Sequence, residues 1–187
     1  GGIAGYSKAM NKYKINKTTD QVSMLVANIR TLFSSQGNYV GLNNGAAVKF
    51  GVVPEDMYTA GSSGGQSMHN AFNGAVTIEA SQARANQANE AFIIEYAGLT
   101  SEACVTIATG DWGSGQGSGL IGIAAGTASP VTAGTLSSVG QKLKTVYTSG
   151  NTINDAAIAI PGDEKYPTPM TITNAVAACS GSGSTNV

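Results

Sequence analysis

The stretch from residue 3 to 35 contains no proline and no glycine after Gly5, so nothing in it interrupts a helix. In its second half Val22, Leu25, Val26, Ile29, Leu32 and Phe33 follow spacings of 3, 1, 3, 3 and 1, one apolar face at the helical period. These six are the residues expected to hold the helix to a sheet. In the first half Lys8, Lys12, Lys14 and Lys17 surround only scattered apolar positions, Met10, Tyr13 and Ile15. That pattern predicts a helix end that projects from the globule. At ~1.5 Å per residue the run reaches about 50 Å, longer than a domain of this size needs to cover its own core. The excess length calls for a partner outside the domain. The alternative is a break near residue 18, where Thr18 and Gln21 have the spacing of a capping box. Gly37 is placed to end the helix.

Residues 38–74 carry Gly, Asn, Ser and Pro54 around short apolar pieces, which predicts a long connecting loop with at most a turn of helix. Two strands follow, over 75–80 and 91–97, joined by a polar Gln/Asn-rich connection as an antiparallel hairpin. Thr100 caps a short helix over 101–109, with Glu102 in the first turn where the helix dipole favours an acid. After a glycine-rich loop, further strands are expected over 120–125, 141–147 and 156–160. Pro161, Pro167 and Pro169 break that pattern. Thr171 or Thr173 caps a last helix carrying Cys179, and 180–187 reads as a loose polar end.

Charged residues are 11% of the 187, with 10 Lys+Arg against 11 Asp+Glu. No global field draws in nucleic acid or an anionic membrane. The 25 Gly, with many Ala, Ser, Thr and Asn, give a polar, largely uncharged surface that self-association buries at small desolvation cost. No run of 18 or more apolar residues is present, so no segment of the chain as given reads as a transmembrane helix. The start, Gly1-Gly2-Ile3-Ala4-Gly5, leads directly into the helix as if an apolar stretch preceded it. Cys104 and Cys179 have no CxxC partner and are too far apart for a zinc knuckle. A disulfide is the favoured reading, with two buried thiols as the alternative; the bond would stabilise the fold by roughly 4–5 kcal/mol and place the chain outside the cytosol.

Motifs with catalytic letters lack their structural context. Gly61-Ser62-Ser63-Gly64-Gly65 matches a nucleophile elbow, but no strand precedes it and no helix follows. The single histidine, His69, lies in the same polar region. Gly117-Ser118-Gly119-Leu120-Ile121-Gly122 has dinucleotide-binding glycines but enters a strand-like run, so no helix N-terminus awaits a pyrophosphate. The pairs Glu55-Asp56 and Asp163-Glu164 read as solvated turns rather than acid–base dyads. Asn16-Lys17-Thr18 is a glycosylation match inside a helix. Trp112 reads as an anchor for the glycine-rich loop, with an exposed contact as the alternative. No catalytic residue, cofactor site or metal site is expected.

Three segments resemble type IVb pilins, the class that includes PilS-like, bundle-forming and toxin-coregulated pilus subunits. The first is Asn28-Ile29-Arg30-Thr31-Leu32-Phe33 followed by Gly37-Asn38-Tyr39, similar to the end of the pilin spine and its exit. The second is Asn70-Ala71-Phe72-Asn73-Gly74, which resembles an Asn-Pro-Phe-x-Gly segment with Ala71 in place of proline. The third is Ala97-Gly98-Leu99-Thr100-Ser101-Glu102-Ala103-Cys104, paired with Cys179 after Ala175-Val176-Ala177-Ala178. The resemblance implies an α+β pilin fold: a long N-terminal helix packed on an antiparallel β-sheet, with a disulfide-bounded C-terminal region. One ectodomain is expected, with the rest of the spine helix over 1–36, a connecting loop over 37–74, and the sheet and disulfide-bounded region over 75–187. A preceding hydrophobic segment with a prepilin-peptidase site is also implied, and with it a chain truncated for solubility.

The implied function is a non-enzymatic subunit of an extracellular, surface-borne filament serving adhesion, aggregation and colonisation. Its implied partners are copies of itself, the pilus assembly machinery, the inner membrane through the preceding segment, and a host-cell receptor. Nucleic acid is not among them. A minor, adhesive pilin at the filament tip is the second reading, and a secreted enzyme or lectin the third.

Overall fold

The computed structural model describes residues 2–59, 67–81, 89–113, 118–126, 158–162, 164, 166–180 and 185–187. The strand expected over 141–147, the Gly61–Gly65 motif and the connection over 82–88 lie outside them.

Helix α1 runs unbroken over Gly2–Leu32. The Thr18 hydroxyl donates to the Lys14 carbonyl at 2.8 Å and that of Thr19 to Ile15 at 3.0 Å. Both bonds reach back one turn inside a continuous helix, so no capping box forms. The helix ends before residue 35 because its bonds tighten: Phe33 N–H still reaches Ile29, but Ser34 N–H bonds Thr31 and Gln36 N–H bonds Phe33. This is the 3-10 unwinding common at helix ends. Residues 2–9 are exposed, whereas Ile15 and Thr18 are buried. Less of the lysine-bearing half projects than its composition predicts.

Residues 37–74 hold more structure than a loop. Asn43 caps α2, Asn44–Lys49, accepting from the Ala46 N–H at 2.8 Å. A 3-10 turn over Glu55–Met57 and strand β1, Met68–His69, follow. Strands β2, Ala75–Ser81, and β3, Ala91–Tyr96, form the expected antiparallel hairpin, in the sheet order β1-β2-β3. Val76 faces Tyr96 and Ile78 faces Ile94 in its register. Beyond the two residues of β1, the edge of β2 is occupied by side chain and loop. Asn44 donates to the Val76 carbonyl at 3.0 Å and accepts from the Ile78 N–H at 2.7 Å, and the Ala80 N–H reaches the Leu42 carbonyl. An edge covered in this way offers no template for foreign strands.

Thr100 caps α3, Ser101–Ala108, and Thr171 caps α4, Ile172–Cys179. The two helices pack together and are joined through Cys104 and Cys179, with Cα atoms 5.8 Å apart. Strands β4, Ile123–Ala124, and β5, Ile158–Ala159, pair antiparallel; β4 is shorter than the run expected over 120–125, and residues 156 and 157 of the other expected run lie outside the described residues.

Residues 185–187 are no loose end. Val187 exchanges backbone bonds with Tyr96, Thr185 with Leu99, and Asn186 with Gly126. Thr185 and Asn186 are buried. This segment inserts between the end of β3 and the strand region at Gly126, linking the two small sheets. Its polar composition hid that role, because backbone pairing at the centre of a sheet requires no apolar side chain.

Candidate functional site

One face of α1 meets the body through Ile15, Thr18, Gln21, Leu25 and Ile29, all buried. Leu25 and Ile29 are both 0% exposed, and each contributes roughly 1.5–3 kcal/mol through burial. Val22 and Phe33 are partly buried against the same core. Val26 is half-buried and, with Val22, lines an open pocket of about 620 Å³ between α1 and β3, lined also by Phe92, Ile94, Trp112 and Leu120. Leu32 stays 38% exposed: it points along the apolar face but is the last helical residue, beyond which the chain turns away. Gln21 sits among the apolar contacts and accepts from the Tyr96 hydroxyl at 3.4 Å. A polar residue there was invisible to an apolar periodicity, and the long bond joins helix to sheet. Burial pushes the Tyr96 phenol well above its ordinary pKa, with Asp56 adding a smaller push in the same direction.

The helix exit is fixed by aromatic rings. Phe33 packs on Tyr39 with centroids 5.3 Å apart, and Tyr39 packs edge-on against Phe92 of β3 at 5.0 Å. The Tyr39 N–H also donates to the Asn89 carbonyl at 2.8 Å. Each ring pair adds ~0.5–1.5 kcal/mol beyond burial, so the spine's end is pinned to the start of β3.

The other two segments singled out in the sequence interlock. Asn70 is buried, and its amide donates to the Ala97 carbonyl at 2.8 Å, while its oxygen accepts from the N–H groups of Phe72 and Gly74. The Asn70 carbonyl also accepts from the Asn73 N–H at 2.9 Å. The turn so formed brings Gly74 against the Ala97-Gly98 backbone. A Cβ on Gly74 would lie 1.9 Å from the Ala97 oxygen, and Gly98 itself adopts a φ of +67°. Two glycines in two separate segments are therefore required by one close crossing of backbones. Just beyond it, the Thr100 cap starts α3, which carries Cys104 to its partner Cys179. Neither cysteine is exposed.

Trp112 closes the end of α3, its indole N–H donating to the Ile107 carbonyl at 2.8 Å. His69 lies in β1 opposite Ala75, and among the described residues no three His, Cys, Asp or Glu side chains converge as metal ligands. On the surface Lys17 bridges to Asp56 at 2.6 Å, which raises the lysine's pKa. Both partners are about a third to a half exposed, where such pairs contribute little stability.

Known proteins place this arrangement. The family described as PilS N terminal matches residues 12–187, nearly the whole chain and all three of those segments. The chain belongs to this family and is a type IVb pilin. Its fold is similar to that of TcpA, a type IV pilin from Vibrio cholerae El Tor biotype, at 20% identity and a TM-score of 0.58, over 93% of this chain and 96% of that one. A type IVb pilin from Salmonella typhi also matches, at 20% identity and a TM-score of 0.44, over 61% of this pilin and 75% of the other. No curated protein matches by sequence. The family and fold are those of structural subunits rather than enzymes, and pilins of this kind form surface filaments. Among the described residues of this pilin no helix is long and apolar enough to cross a membrane.

Proposed function

We propose that this chain is the major subunit of a surface filament through which bacteria adhere, aggregate and colonise a host. The observation that carries the reading is the division of α1. One face is committed to the body through Leu25 and Ile29, while residues 2–9 carry exposed Ile3 and Tyr6, at 86% and 67%, which no described residue covers. In a pilin, that surplus helix is surface for other subunits. Val22, Leu25, Val26, Ile29 and Phe33 seat the spine on the body, with Leu32 at its exposed end, and keep the projecting part in a fixed direction. The loop over 38–74 and the region bounded by Cys104 and Cys179 supply lateral contacts and exposed surface.

In this reading the chain's first partners are further copies of itself, handled by the assembly machinery at the inner membrane, and the finished filament meets a host-cell receptor. Deleting the gene in its native host and imaging the cells tests it. Loss of filaments with loss of adhesion is expected. Intact filaments with lost adhesion would instead make the chain a minor, tip-borne adhesin.

A further inference from the structure

The chain is nearly neutral as a whole, yet its charge is segregated. Residues 2–19 hold four lysines and no acid, while residues 20–113 hold eight acids against three bases. Lys14 and Lys17 are used within the chain, the first 5.9 Å from the Phe72 ring centre and the second on Asp56. Lys8 and Lys12 are exposed and pair with nothing among the described residues.

The stem also has two distinct flanks. One leans on the connecting loop: Lys17 reaches Asp56, Lys14 reaches Phe72, and the Asn28 amide donates to the Val52 carbonyl at 2.9 Å. At about 100° per residue, Tyr6 and Tyr13 fall on this flank with Lys17, and both are exposed, at 67% and 57%. Next to Asp56, the carboxylate of Glu55 is exposed and has no partner among the described residues. The other flank leans on α3, where the Asn11 amide donates to Glu102 at 2.7 Å. Lys8 and Lys12, one turn apart, project from that second side.

Resting on the filament reading above, we propose that Lys8 and Lys12 of one copy dock against Tyr13 and Glu55 of a second copy and so set the stagger between subunits. A single shift accounts for both contacts. Moving one stem by about five residues, or ~7.5 Å, brings Lys12 level with position 17, where the Glu55-Asp56 turn sits, and Lys8 level with Tyr13. Ammonium groups meet a carboxylate and a ring face, the second contact repeating the use of Lys14 on Phe72. Donor and acceptor lie on different surfaces of the chain, so the contact is heterologous and leaves a free acceptor at each step, as an open polymer requires. Exposed pairs of this kind supply register and salt sensitivity more than affinity.

The test uses filaments assembled in the native host from pilin carrying Lys12→Cys with Glu55→Cys, the native cysteines being already paired. Mild oxidation should give a ladder of covalent oligomers, at least tenfold stronger than from Lys12→Cys with Glu164→Cys. Lys8→Glu with Lys12→Glu should lower the salt concentration that dissociates the filaments, and adding Glu55→Lys should restore it. Unchanged melting of each soluble variant separates this effect from misfolding. Filaments that form but give equal ladders, or whose salt resistance ignores the reversals, overturn the proposed contact and leave the filament reading standing. Wild-type filaments lacking this chain overturn the filament reading itself. Binding of the soluble chain to phosphatidylglycerol vesicles that is lost on Lys8→Glu with Lys12→Glu, with filaments unaffected, assigns the lysines to a membrane surface and also overturns the contact.

Discussion

Gly74 and Gly98 show how single positions fix the join between the loop region and the sheet. Gly74→Ala places a methyl group 1.9 Å from a backbone oxygen, so the crossing itself must open, at a cost of about 2–3 kcal/mol. For a chain of this length that is a fall of roughly 5–10 °C in Tm, readable by circular dichroism. Ala71 is the opposite case. It occupies the second position of a turn closed by the Asn73 N–H on the Asn70 carbonyl, and no hydrogen bond among the described residues uses its own N–H. Proline suits that position, so Ala71→Pro should stabilise by ~0.4–1 kcal/mol through the unfolded state; a loss of stability on denaturant titration would show that the turn is misread. Both segments were legible as motifs in the sequence. Their contact was not, because nothing in local spacing shows that Gly74 and Gly98 meet.

At the scale of elements, the continuous spine, the hairpin and the two capped helices could be read from periodicity and cap residues, since those signals are local. The long-range pairings could not. Residues 185–187 pair through their backbones, with Thr185 and Asn186 buried, and Asn44 bonds the edge of β2 beside β1; neither leaves a hydrophobic pattern. Position along the spine matters as much as face. Leu25 and Leu32 share the apolar face, but Leu25 is fully buried and Leu32 is at the exposed end. Leu25→Ala should therefore cost about 2–5 kcal/mol, while Leu32→Ala should cost under ~1 kcal/mol. Equal losses in urea unfolding would contradict the packing described for α1.

Between helix and sheet the molecule buries the phenol of Tyr96. Burial raises the Tyr96 pKa in the folded state, so the unfolded chain loses that proton first, near its ordinary value of about 10. The stability this group contributes is fully present below that pH and is lost as pH rises beyond it, by up to ~1.4 kcal/mol per pH unit. The raised Lys17 pKa acts in the same direction. Tyr96→Phe, which gives up only a 3.4 Å bond to Gln21, should flatten the alkaline fall in Tm; a fall as steep as in the wild type would place its cause elsewhere.

What the whole molecule is for rests on its surplus helix, and the most direct measurement is a cryo-EM reconstruction of filaments from the native host. The account predicts filaments built from this chain, with α1 turned inward and residues 2–9 buried against neighbouring subunits. Filaments in which those residues face solvent, or cells whose filaments lack this chain, would contradict it.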